Sequence, residues 1–270
     1  MQSDRGLHAA AGQPVNADAY DRYLGRWSRL FVPSLLAAAE VGRGGRVLDV
    51  AMGTGEAALM AISAVGHSGL VIGTDISTAM LDAARARLSN SLLAVAADGQ
   101  ALPFLAASFD AVICQLGLMF FPDPARGLAE FRRVLRGGGC AAVCVNSAPD
   151  KAPMWGPLCR ALSRCLPYQR DAFNLSFALA DTRQLARMFS AAGFRDVRVT
   201  RETKDGIIES FDAFWTAIEA GTGQMPMAYI GLPELQRRLV REEVQAALSP
   251  FVSEGRLELS VEMLIGKGRA

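Results

Sequence analysis

Three acids and two glycines stand where they can grip a nucleoside. Asp49 lies in the apolar run Val47 to Val50, which ends at once in the turn Met52-Gly53-Thr54-Gly55. Asp75, twenty positions after Gly55, closes a second apolar run from Leu70, and Asp98 follows a third, Leu92 to Ala96. Glycine lets backbone come close to a ligand, and a helix opening after the turn exposes its first N–H groups beside it. A carboxylate at the end of the neighbouring strand accepts hydrogen bonds from two ribose hydroxyls while the turn approaches the rest of the molecule. The spacing predicts a site for a nucleoside-bearing cofactor.

Such a site needs strands that end together, and the pattern supplies them. From Arg46 the chain alternates strand and helix in units that predict a parallel sheet covered on both faces. Strands are expected at 47–50, 70–75, 92–96, 109–114 and 140–145, then at 194–200 and 257–265. Ser77 and Asp123-Pro124 are helix starts. Gly137-Gly138-Gly139 reads as a helix stop. The fold class expected is α/β: a Rossmann-like, doubly wound, mostly parallel seven-stranded sheet with an N-terminal helical lid and a helical cap insertion. Residues 1–17 read as a flexible tail and 18–45 as lid helices carrying Tyr20, Tyr23, Arg26 and Trp27. Residues 46–146 form the cofactor-binding core. The proline-rich stretch 147–185 is the cap, and 186–270 supply the rest of the sheet with substrate-side helices. There, Leu235, Leu239, Val244 and Leu248 fall near one face of a helix.

Composition narrows the function. The 270 residues are 51% hydrophobic and 20% charged, enough for a sizeable core. Twenty-eight basic against twenty-seven acidic residues give a charge of +1, without the clustered basic excess of a nucleic-acid binder. No apolar run reaches the roughly 18 residues of a membrane span, and the start lacks a signal peptide's pattern. A cytoplasmic protein is expected, with no nucleic-acid or membrane partner, as monomer or homodimer. The five cysteines form no CxxC pair and no histidine cluster joins them, so they read as reduced core residues and no metal is expected.

The glycine turn and Asp75 suit NAD and S-adenosylmethionine alike. Other features separate the two. Asp49 gives Asp-x-x-x-Gly-x-Gly, and Ala58 stands where a nicotinamide site more often has a third glycine. Asp98-Gly99-Gln100 ends the third strand beside the place of an adenine. The runs VLDVAMGTG, VIGTDISTAML, AADGQALPF, FDAVICQLGLMFFPDP and RRVLRGGGCAAVCV, in that order over residues 46–145, resemble the class I S-adenosylmethionine-dependent methyltransferases. The pattern is most similar to the branch with the ubiquinone and menaquinone C-methyltransferases.

The resemblance implies S-adenosyl-L-methionine as cofactor, with Asp49 beside the turn and backbone at Ala51, Gly53 and Gly55 holding the methionine part. Asp75 would bind the ribose, Ile76 pack on adenine, and Asp98 accept from the adenine amino group with Gly99 and Gln100 beside it. Gln115 would lie near the methionine amine and the methyl, and Tyr20, Tyr23 and Arg26 close over the carboxylate. Ala51 departs from the family's usual glycine, which a negative φ would tolerate. Asn146 stands where relatives often carry a larger or aromatic residue, widening the pocket. His8 and His67 lie away from the expected pocket, and no general base is identifiable. The expected activity is in-line methyl transfer to carbon or oxygen of a small apolar or aromatic metabolite of secondary metabolism. Methylation of a small-molecule nitrogen and NAD(P)-dependent oxidation are the alternatives.

Overall fold

The computed structural model describes residues 25–88, 92–221 and 223–270. The expected tail, Tyr20 and Tyr23 lie outside the described residues. After the short helix α1 (Arg26–Ser28) and a 3-10 turn comes α2 (Val32–Ala38), then β1 (Arg46–Val50), α3 (Glu56–Val65), β2 (Leu70–Asp75), α4 (Thr78–Leu88) and β3 (Leu93–Ala96). Next come β4 (Phe109–Gln115), α5 (Pro124–Val134) and β5 (Leu135–Asn146). The strand order is β3-β2-β1-β4-β5-β8-β6, where β6 is Arg195–Ile208 and β8 is Arg256–Arg269. β1 to β5 pair in parallel, and β8 enters antiparallel between β5 and β6. These seven strands form the expected sheet; β7 (Val252–Ser253) adds an eighth, folded back on the start of β8.

Two-residue periodicity sends alternate side chains to opposite faces. Val47, Val71, Ala111, Ile113, Ala142 and Cys144 pack on one side under α2, α3 and α4. Leu48, Val50, Val112, Ala141, Val143 and Leu264 pack on the other, under α5 and α8 (Thr182–Ala191). The first cluster continues into the cap helices α6 (Gly156–Cys165) and α7 (Arg170–Asn174) and the later helices α9 (Phe211–Glu219), α10 (Gln224–Ile230) and α11 (Glu234–Leu248). All five cysteines are free, and four are buried.

Local chemistry explains the element starts. Asp123 accepts from the Arg126 amide at 3.1 Å ahead of Pro124, and Asp181 accepts from Arg183 and Gln184. Ser77 caps α4 through the Met80 amide at 3.4 Å.

Two expectations fail. The triple glycine does not stop a helix; α5 ends at Val134 and Gly137 to Gly139 lie inside β5. A Cβ at Gly139 would meet the Asp110 carbonyl at 2.8 Å, so close strand approach requires the glycine there. The α11 stripe is also displaced: Val240, Val244 and Leu248 are buried, whereas Leu235 and Leu239 are exposed.

The last two long strands reach beyond the others. β5 stays with β8 only as far as Asn146 opposite Met263, but β6 follows it on to Ile208 opposite Leu257. The β6–β8 pair therefore stands past the carboxyl edge as a two-stranded arm. Trp27 of α1 lies against it at Gly206, where a Cβ would come within 2.7 Å of the indole.

Candidate active site

β1 and β4 are neighbours, so the turns that follow them face each other across a narrow cleft. Asp49, Ala51, Gly53, Glu56 and Gln115 line it, with Gly25 and Ser28 from the N-terminal segment as its other wall. Gln115 Nε2 donates to the Ser28 carbonyl at 2.6 Å and joins the two walls.

The glycine turn is held by the acid at the end of β2. Asp75 Oδ2 accepts from the Gly53 amide and Oδ1 from the Ser77 amide, each at 2.9 Å. Gly53 has φ +57° and Gly55 φ +85°, conformations that favour glycine. At Gly55 a side chain would also strike Leu88 at 2.7 Å, so its absence lets α3 and α4 approach. Burial raises the Asp75 pKa against the lowering effect of its backbone donors.

Ala51 overturns the expectation of a negative φ: its φ is +56°. A left-handed alanine costs on the order of 1 kcal/mol. The strain persists because the far turn makes room. A Cβ at Gly117 would sit 2.5 Å from that of Ala51, so the missing side chain at 117 accommodates the methyl group. Leu116, beside it, is left-handed too, with φ +53°. Two strained residues thus border one cleft, as functional sites commonly show.

Asp49 is fully buried, and neither carboxylate oxygen finds a hydrogen-bond partner of normal geometry. Burial first, then the charge of Asp75, push its pKa up to about 8, with the Ala58 amide acting in the other direction. A buried carboxylate facing a cleft is poorly compensated by protein alone, and a cation placed beside it offsets the desolvation. The residues present therefore fit a cofactor that brings positive charge to Asp49.

The remaining predicted residues divide. Ile76 is half-buried beside Asp75, and Gly99 is buried because a Cβ there would meet Phe121 at 2.3 Å. Asp98 is exposed and accepts from the Gln100 amide at 2.8 Å. Gln100 in turn accepts from the Asp123 amide at 2.7 Å, tying the β3 loop to the start of α5. Arg26 is exposed and does not line the cleft; its neighbours Gly25 and Ser28 do. Glu56 was not foreseen. It is buried on the cleft wall and paired with Arg29 at 2.6 Å and with Arg87 of α4. Only its place in the first turn of a helix is visible locally; both partners come from other elements.

His67 is exposed, and among the described residues no histidine lines the cleft. No group of three or more metal-ligating side chains occurs among the described residues, nor any helix long and apolar enough to cross a membrane.

With this geometry in view, the comparisons with known proteins agree. Residues 48–143 match the family model described as a methyltransferase domain. The ubiquinone/menaquinone biosynthesis C-methyltransferase of Stenotrophomonas maltophilia is 43% identical over 122 residues, 43% of this chain and 47% of that protein. The chain thus spans about half the length of the curated relatives it matches at this identity. The demethylmenaquinone methyltransferase of Staphylococcus saprophyticus is 30% identical over 173 residues, 59% of this chain and 74% of that protein. Among solved structures, the YcgJ protein of Bacillus subtilis superposes with TM-score 0.58 at 19% identity, covering 91% of this chain and 99% of that one. At that identity it shows the shared fold alone.

Proposed function

Because the chain belongs to the class I S-adenosylmethionine-dependent methyltransferases, we propose that it moves a methyl group from S-adenosyl-L-methionine to carbon or oxygen of a small apolar or aromatic metabolite. The observation that carries this reading is the buried, unpartnered carboxylate of Asp49 lining a cleft beside the glycine turn that Asp75 holds in place. When bound, S-adenosyl-L-methionine supplies a methyl group already activated by its sulfonium charge.

The chain's own residues have the following work. Asp49 faces the positively charged methionine end, and backbone at Ala51, Gly53 and Gly55 lies along it. Asp75 keeps lone pairs for the ribose hydroxyls while its backbone donors fix its orientation. Ile76 covers one face of the adenine, and Asp98, with Gly99 and Gln100, lies at its edge. Gln115 holds the Ser28 carbonyl and so ties the N-terminal segment to the end of the cleft where the methionine amine and the methyl would lie. Orientation in a cleft that excludes water can supply roughly 7–11 kcal/mol of barrier lowering. An already acidic phenol enters as its phenolate and needs no general base, whereas a ring carbon bearing hydrogen must give up that proton to solvent as the ring regains conjugation.

The acceptor is assigned to the space between lid and cap (residues 147–185). Met154, Trp155, Phe173, Phe177 and Trp215 give that region an apolar, aromatic lining, although all are largely buried in the cap's own packing. The C-methyltransferase names of the relatives support an aromatic acceptor. The family model stops at residue 143, before the cap, so it speaks for the cofactor half only.

Calorimetry tests the cofactor assignment. S-adenosylhomocysteine should bind the wild type, and Asp75→Ala should weaken it by at least ~10²-fold, about 3 kcal/mol for charged hydrogen bonds lost. Unchanged affinity in the variant would sink the site as drawn.

A further inference from the structure

Asn146 has no part in the cofactor site, yet the strands bring it beside that site. In the β4–β5 register Gln115 lies opposite Cys144, and Asn146 is two residues further along β5. By the two-residue alternation it faces the same side as Cys144, Ala142 and Gln115, at the carboxyl edge under the cap. Its Nδ2 donates to the Ser176 carbonyl at 3.0 Å. A carbonyl only accepts, so this bond settles which end of the amide is nitrogen. The other end, Oδ1, is buried and has no hydrogen-bond partner. Its neighbour Ser147 is already committed, donating to Glu262 at 2.5 Å on the opposite face.

A buried amide oxygen held in one orientation and left unsatisfied is rare in folded proteins. We propose that Asn146 Oδ1 recognises the methyl acceptor by accepting a hydrogen bond from an O–H or N–H group on it; this assignment rests on the methyltransferase reading above. The surroundings suit such a role. Met263 lies opposite Asn146 across the ladder, and the 3-10 turn Leu175–Phe177 covers it, so the bond forms in an apolar setting that strengthens it. The acceptor class is therefore an apolar molecule carrying a hydroxyl or amine, not a pure hydrocarbon and not a fully O-methylated one. Because Oδ1 is closed off from solvent, the side chains packed over it must move for the acceptor to reach it, while the Ser176 carbonyl keeps the amide's orientation.

The test uses the whole chain loaded with S-adenosylhomocysteine and read by ligand-observed NMR titration. Probes come in pairs that differ only in the donor: 1-naphthol and 1-methoxynaphthalene, phenol and anisole, aniline and N,N-dimethylaniline, indole and N-methylindole. The wild type should prefer the donor-bearing member of at least one pair by about tenfold or more, since a site built around a hydrogen bond rejects the partner lacking it. Asn146→Leu and Asn146→Ala should both erase that preference. Asn146→Asp keeps an acceptor oxygen but loses the donor to Ser176, so it should keep the preference. A wild type blind to every pair overturns the assignment, as does a preference that survives in Asn146→Leu. If Asn146→Asp is as blind as Asn146→Leu, the residue serves only to hold Ser176 and the assignment falls. Failure of S-adenosylhomocysteine to bind the wild type is a separate result: it overturns the methyltransferase reading itself.

Discussion

Replacing Asp49 with asparagine should make the cofactor-free protein more stable and the cofactor site worse, and the two effects should share one pH dependence. With its pKa pushed up to about 8 in the fold, Asp49 holds a proton that an unfolded aspartate has released. Between about pH 4 and pH 8 the native state thus binds the extra proton, and stability falls as pH rises through that window. Each pH unit is worth about 1.4 kcal/mol, so the wild type should lose about 3 kcal/mol from this group between pH 6 and 8.5. Asparagine has the shape of the protonated acid and no proton to lose. Urea denaturation should give nearly equal stabilities for the two proteins near pH 4 and an advantage for Asp49→Asn that grows from there to pH 8. Calorimetry with S-adenosylhomocysteine supplies the other half. Since the ligand's α-ammonium group needs the carboxylate, wild-type affinity should climb roughly tenfold per unit from pH 6 to 8, while the variant binds weakly and without that slope. Parallel stability curves for the two proteins over this range would refute the burial argument.

Other sites allow equally direct tests. Gly117→Ala should destabilise by about 1–3 kcal/mol through collision with the Ala51 methyl, and Ala51→Gly should stabilise by about 1 kcal/mol by removing left-handed strain. In a double-mutant cycle the two should couple by at least ~0.5 kcal/mol; strict additivity in denaturant melts would show that the pair does not interact. Glu56→Gln should cost about 1–3 kcal/mol, because Arg29 and Arg87 lose a largely buried carboxylate. Hydrogen exchange should rise in residues 26–38 of the variant, and an unchanged pattern there would mean that Arg29 does not anchor the N-terminal segment.

How much of this was legible in the sequence depended on how local each cause is. The strand end at Asp75, and the helix starts at Ser77 and Asp123, follow from side-chain chemistry within a few residues. The sign of φ at Ala51 does not, because it depends on Gly117 across the cleft. The triple glycine misled for a related reason: glycine ends helices, but it also lets two strands approach, and only the Asp110 carbonyl decides between these. Leu235 and Leu239 matched a helical period yet stayed outside, since a period defines a stripe without saying how far along the helix the cap extends. The Glu56 ion pairs link elements tens of residues apart, and charge at separated positions gives no local signal.

The arm formed by β6 and β8 bears on the order in which the molecule assembles. Residues 46–146 build their part of the sheet among themselves, and its longest pairing, β1 with β4 at Val47 opposite Ala111, spans 64 residues of chain. The wall made by Trp27 on Gly206, by contrast, joins the start of the described chain to its last third. Loop-closure entropy makes such long-range contacts slow to form. In refolding, competence to hold the cofactor should appear before competence to shelter an acceptor. A nascent or partly unfolded molecule would then have a working cofactor cleft open to water on its acceptor side.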